Sequence, residues 1–204
     1  MIDLLAKTGS PAELLAELLP LEDAPEESVA LRERLGTLFI AAGSPARAAT
    51  AFRGVLRHDP ENGTAYSGLG DAEMALGNLR AARANFAAAL RLHPGDTGAA
   101  AKLASVDSAV ALDPAARGIS GAERFARSRV LLGRTLDVVV ACGESRAPLV
   151  DTARRLLGAK TSAGTREAAA DSMVAVATSL WSARPASCGR SETALRLLHA
   201  RLAE

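Results

Sequence analysis

Residues 29–62 read VALRERLGTLFIAAGSPARAATAFRGVLRHDPEN, and residues 63–96 read GTAYSGLGDAEMALGNLRAARANFAAALRLHPGD. Each stretch is 34 residues long, and the two place the same residues at the same steps. Leu35-Gly36, Ala48, Phe52 and Pro60 of the first return as Leu69-Gly70, Ala82, Phe86 and Pro94 of the second. A fixed period of that length marks an array of helical hairpins, none of which can bury its apolar face alone. Gly36, Gly70, Ala48 and Ala82 fall where the two helices of a hairpin would cross. Small side chains there let the backbones approach to roughly 8–10 Å. Phe52 and Phe86 are placed to fill the space between successive hairpins. Gly43 and Gly77 stand between the helices, where a left-handed C′ residue is wanted, and Ser44 and Asn78 follow as expected N-caps of the second helix.

This pattern resembles the tetratricopeptide repeat family, in which a large residue, Leu-Gly, a later Ala, an aromatic and a closing Pro recur through two antiparallel helices. Two full repeats are expected at about 29–62 and 63–96, with a partial third. One step further on Leu103 is kept, Ala104 replaces the glycine, and Asp113-Pro114 breaks the chain before a second helix. Residues 97–112 therefore read as a cap for the array. The resemblance implies an all-α fold, a right-handed superhelix of hairpins, and a non-enzymatic scaffold or adaptor that holds a protein or peptide segment.

Members of this family usually bind on the concave side, lined by the first helix of each repeat. Counted from Val29 and Gly63, its positions here carry Ala30, Glu33, Thr37 and Ile40, then Thr64, Ser67, Asp71 and Met74, with Lys102 and Ser105 from the partial unit. Some relatives clamp a C-terminal carboxylate with Lys and Asn at these positions. Glu33, Thr37 and Asp71 stand there instead, and carboxylates repel an acidic terminus. A basic or neutral segment suits them better. The plain alternative is a solvated surface on a two-repeat spacer.

Outward from the repeats, Ser10-Pro11-Ala12-Glu13 is a capping box with Pro at the first helical position. It predicts a short helix ending near Pro20. Asp23-Ala24-Pro25-Glu26 repeats the device before repeat one. Asn62 and Asp96 are expected to cap the helices that follow them. Beyond residue 112, Ser120-Gly121-Ala122-Glu123 opens a helix with Phe125, Leu132, Leu136, Val139 and Val140 on one stripe. A shorter helix follows with Leu149, Val150, Ala153, Leu156 and Leu157, then one from Thr165 to about Pro185, then a last one over 191–203. These four helices show no period of 34. The expected organisation is an N-terminal helix and linker at 1–25, the array with its capping helix at 26–112, and a C-terminal four-helix lobe at 115–204.

Composition sets outer bounds. The net charge is +1, which argues against a nucleic-acid partner, since phosphate backbones demand concentrated Lys and Arg. Of 24 basic residues 21 are Arg, a bias typical of GC-rich bacterial genes. No apolar run approaches the roughly 20 residues of a membrane helix, and MIDLLAKTGSPAE lacks the marks of a signal peptide. A cytoplasmic location is expected for the chain as it stands, and a periplasmic one if it was trimmed from an exported or anchored parent.

No catalytic, metal-binding or cofactor-binding pattern stands out. Gly68-Leu69-Gly70 lacks the third glycine and the preceding strand of a dinucleotide loop. His58, His93 and His199 are isolated from one another. His58 and His93 stand at helix exits, where a cation meets the helix C-terminus favourably. Cys142 and Cys188, each beside a glycine, would form a disulfide within the C-terminal lobe in an oxidising compartment, or remain two thiols in the cytosol. Met173 and Trp181 fit an apolar stripe facing a core, or anchors for a partner. Two rivals to the adaptor reading follow: a self-association module forming a homodimer, and a regulatory or enzymatic C-terminal lobe with the repeats as its substrate arm.

Overall fold

The computed structural model describes residues 10–22, 29–143, 147–189 and 192–203. Among these every regular element is helical. In order they are α1 (Pro11–Glu22), α2 (Val29–Ala41), α3 (Pro45–His58), α4 (Gly63–Ala75), α5 (Leu79–Leu92), α6 (Thr97–Leu112), α7 (Gly121–Ala141), α8 (Ala147–Gly158), a 3-10 turn (Ala163–Thr165), α9 (Arg166–Ala183) and α10 (Thr193–Leu202). The expected Asp23–Glu26 capping box and the Ser191 start of the last helix lie outside the described residues. The chain divides into two units, Met1–Val106 and Asp107–Glu204.

In the first unit the Ser10 hydroxyl accepts the Glu13 N–H at 3.2 Å, and the Glu13 carboxylate accepts the Ser10 N–H at 2.9 Å, so both halves of the capping box form. α1 continues through Pro20 to Glu22, past its expected stop. A proline removes one backbone donor, and this one falls so near the end that little helix depends on it. Leu14 and Leu18 share a core with Leu35, Leu38 and Phe39 of α2, Phe52 and Val55 of α3, and Leu69 of α4.

Each hairpin closes in the same way. Gly43, at φ 66°, donates to the Ile40 carbonyl while Ser44 donates to Phe39, and Gly77, at φ 71°, donates to Met74 while Asn78 donates to Glu73. This double bond pattern satisfies the last carbonyls of α2 and α4. Ser44 and Asn78 do occupy the N-cap positions of α3 and α5, but their side chains do not cap. Their ψ angles of 66° and 59° lack the extended geometry that turns a side-chain oxygen toward the helix. Asn62 and Asp96 do cap, accepting from the N–H groups of Ala65 at 2.8 Å and Ala99 at 2.9 Å.

Phe52 explains the glycines around it. A β-carbon at Gly36, on the partner helix of its own hairpin, would stand 2.7 Å from the ring, and one at Gly68, on the next hairpin, would stand 2.3 Å away. Phe86 meets Gly70 likewise at 2.7 Å. Bare backbone at these points lets the rings seat between helices, and both rings are buried.

In the second unit the Ser120 hydroxyl accepts from the Glu123 N–H at 3.1 Å, while the Glu123 carboxylate pairs with Arg127 at 2.7 Å. The core joins Leu131, Leu132, Leu136 and Val139 of α7 to Val150 and Ala153 of α8, Met173, Ala177, Leu180 and Trp181 of α9, and Leu195 and Leu198 of α10. Met173 and Trp181 are thus core residues. The α7 stripe differs from expectation at one place: Val140 is 45% exposed, whereas Ser128 and Thr135 are buried. Two hydroxyl residues complete the inward face, which a search for apolar spacing alone rotates by one position. Cys142 and Cys188 are joined by a disulfide, their Cα atoms 5.9 Å apart.

Candidate peptide-binding face

α2 and α4 turn a shared row of short polar side chains outward because their opposite faces are buried: Leu35, Phe39, Leu69 and Ala72 face the core. Between them lies an open cleft of about 210 Å³. Of the residues expected on the concave face, Thr37, Thr64, Ser67 and Asp71 line it, and its floor is the edge of Phe52 beside Gly68. His93 and Asp96, from the turn that leaves α5, close one end. Glu33, Ile40, Met74 and Ser105 are partly buried and do not line it.

Lys102 reaches this face from α6. Its ammonium sits 2.7 Å from the Asp71 carboxylate and 5.8 Å above the centre of the Phe86 ring. Lys102 stands one period after Gly68. The position that bares backbone to Phe52 in one interface therefore carries a cation over Phe86 in the next. The pair partly neutralises Asp71, so Glu33 and Asp71 do not form a doubly negative patch; the remaining anionic group at the cleft is Asp96. One Asp96 oxygen is engaged by the α6 cap, and the Thr37 and Ser105 hydroxyls donate to the carbonyls of Glu33 and Ala101, each at 3.0 Å. The cleft presents acceptor lone pairs of Thr37 and the Asp96 carboxylate, together with the Thr64 and Ser67 hydroxyls, which donate as well as accept, beside an aromatic floor.

His93 and Asp96 were not legible as lining residues. The signal was Gly63, which holds the place of Val29 one period earlier. A β-carbon there would stand 2.1 Å from the His93 ring, so the glycine gives the exit turn its seat. Glu73 was also unforeseen. It is 4% exposed, pairs with Arg53 of α3, and accepts from the Asn78 amide at 2.8 Å. One carboxylate thereby ties α3 to α4 and to the start of α5.

In the second unit His199 is packed between residues of two other helices. It is 2% exposed, its Nε2 lies 2.9 Å from the Thr135 hydroxyl, and its ring stacks on Trp181 at 4.6 Å and 13°. The Arg184 guanidinium lies 3.5 Å from the centre of the same indole. Burial, aided by the Arg184 charge, lowers the His199 pKa to about 4. A neutral imidazole buried between Thr135 and the Trp181 ring, closed off from solvent, serves packing better than proton transfer. Among the described residues no three His, Cys, Asp or Glu side chains group as metal ligands, and no helix is long and apolar enough to cross a membrane.

Paired antiparallel helices at a 34-residue period, closed by identical glycine turns and keyed by a phenylalanine, define a helical-hairpin repeat protein. Residues 33–97 match the tetratricopeptide repeat family, and the chain carries a tetratricopeptide repeat array. Neither the curated proteins nor the solved structures contain a match to it. Repeats of this family generally mediate protein–protein interaction.

Proposed function

We propose that the chain is a non-enzymatic adaptor whose α2–α4 cleft holds an extended peptide segment carrying N–H donors, with a neutral or cationic side chain toward Asp96 and Asp71. The observation that carries this reading is the cleft itself: hydroxyls and carboxylates from two repeats meet over the Phe52 edge. A strand-like peptide offers donors at regular steps, and hydrogen bonds to charged acceptors are the stronger kind. An acidic C-terminus in the cleft would meet the Asp96 carboxylate without a described cation other than Lys102, which is already paired.

Selection of a displayed random-peptide library on the full chain tests it. Enriched peptides should carry Lys or Arg, and Asp71→Asn with Asp96→Asn should weaken the best of them by roughly tenfold, since Asn keeps the α6 cap while removing charge. Lys102→Gln should strengthen the same peptide by freeing Asp71. Peptides bound equally by all three proteins would move the site off this face. Recovery of copies of the chain alone would favour self-association.

A further inference from the structure

The first repeat has a second cleft, of about 70 Å³, between α2 and α3. Arg32, Arg47, Arg57 and Thr50 surround it, over an apolar floor of Leu35 and Phe39. Gly54 makes it possible. Its absent side chain leaves room for the Arg32 stem, and a β-carbon there would stand 3.3 Å from Arg32 Nη1 and 3.6 Å from Arg57 Nη2. Two guanidinium groups thus converge on one point.

Among the described residues neither Arg32 nor Arg57 has an ion-pair partner, and the Arg32 Nε–H is buried without an acceptor. Arg47, which also lines the cleft, has an interaction of its own within the protein. Convergent like charges repel, and a buried donor left unmade is costly. The repulsion vanishes if an anion lies between the two guanidinium groups. The repeat pattern does not require these residues: one period on, Arg32, Arg47, Thr50 and Gly54 become Tyr66, Ala81, Ala84 and Ala88, while Arg57 persists as Arg91.

We propose that this cleft is an oxyanion site, in which a carboxylate or phosphate group of a ligand lies between the guanidinium groups of Arg32 and Arg57. Guanidinium groups suit such planar or tetrahedral oxygens because their donors form a fixed fork. The floor of Leu35 and Phe39 excludes water from one side, which strengthens the charge-assisted bonds. The cleft size admits a single small group. The rest of the ligand would extend into solvent past Arg57, which is exposed.

The test uses the full chain with arginine side-chain N–H resonances followed by NMR. Inorganic phosphate and acetate are titrated separately at constant ionic strength, with chloride as the balancing ion. A saturable shift of the Arg32 Nε–H is expected, and the arm that produces it at lower concentration names the oxyanion. Arg57→Gln should weaken that binding by roughly tenfold or more. Arg91→Gln, which removes the same charge from the same position of the second repeat, should leave it unchanged. Shifts that fail to saturate in both arms, or that fall equally in the two variants, would overturn the proposal by showing only diffuse attraction to positive surface.

Discussion

Phe52 rests against the bare backbone of Gly68, so close that a β-carbon at Gly68 would stand 2.3 Å from the ring's Cζ. The ring is held from its own hairpin by Gly36 as well, so it has no direction in which to yield. Gly68→Ala should therefore destabilise the array by about 1–2 kcal/mol, the overpacking cost outweighing the helical preference of alanine. Gly133→Ala in α7 is the contrast. A β-carbon there meets nothing within 4 Å, and the same exchange should stabilise by up to about 1 kcal/mol. Urea unfolding followed by circular dichroism distinguishes the two; equal effects would mean that Phe52 is not confined.

Arg53 offers a second test. Its partner Glu73 is buried, with Asn78 as its other described side-chain partner. Arg53→Ala leaves that carboxylate incompletely satisfied and should cost about 1–3 kcal/mol. Arg91→Ala, at an exposed position with no described partner, should stay within about 0.5 kcal/mol. A loss for Arg53→Ala no larger than that for Arg91→Ala would show that solvent already meets the needs of Glu73.

The buried imidazole makes a prediction with a definite sign. Unfolded, His199 protonates near its ordinary value of 6.5, whereas in the fold its pKa is about 4. Between those values the unfolded chain binds the extra proton, so stability must fall as pH drops from 6.5 and level off below about 4. The loss attributable to this group should reach about 3 kcal/mol. Unfolding free energies at pH 7, 6, 5 and 4 should show that slope in the parent chain and a shallower one in His199→Gln. Equal slopes would place the acid sensitivity elsewhere.

Reduction of Cys142–Cys188 should lower the stability of the second unit by about 2–4 kcal/mol, because the bond closes a segment spanning 46 positions in the unfolded chain. Its melting temperature with and without reductant, read from Trp181 fluorescence, checks this. An unchanged transition would mean that the link constrains little that packing does not.

The array and its turns were legible because they are written in short-range terms. Helix ends depend on residues a few positions apart, and the 34-residue period repeats the same local instruction, so Asn62, Asp96, Gly43 and Gly77 could be assigned roles directly. Phe52 and Phe86 followed from the same repetition, since each must fill a gap that the repeat creates. What depended on distance between elements was not legible. Lys102 neutralising Asp71, Glu73 joining three helices, and His199 reaching Thr135 across 64 positions all pair polar groups that look solvated one at a time. Burial changes their meaning: a polar atom removed from water must find a partner, and the partner is chosen by which helices pack together. Local propensity and periodicity determined the helices and their hairpins. The tertiary structure decided which charges remain free, and with them the character of both clefts.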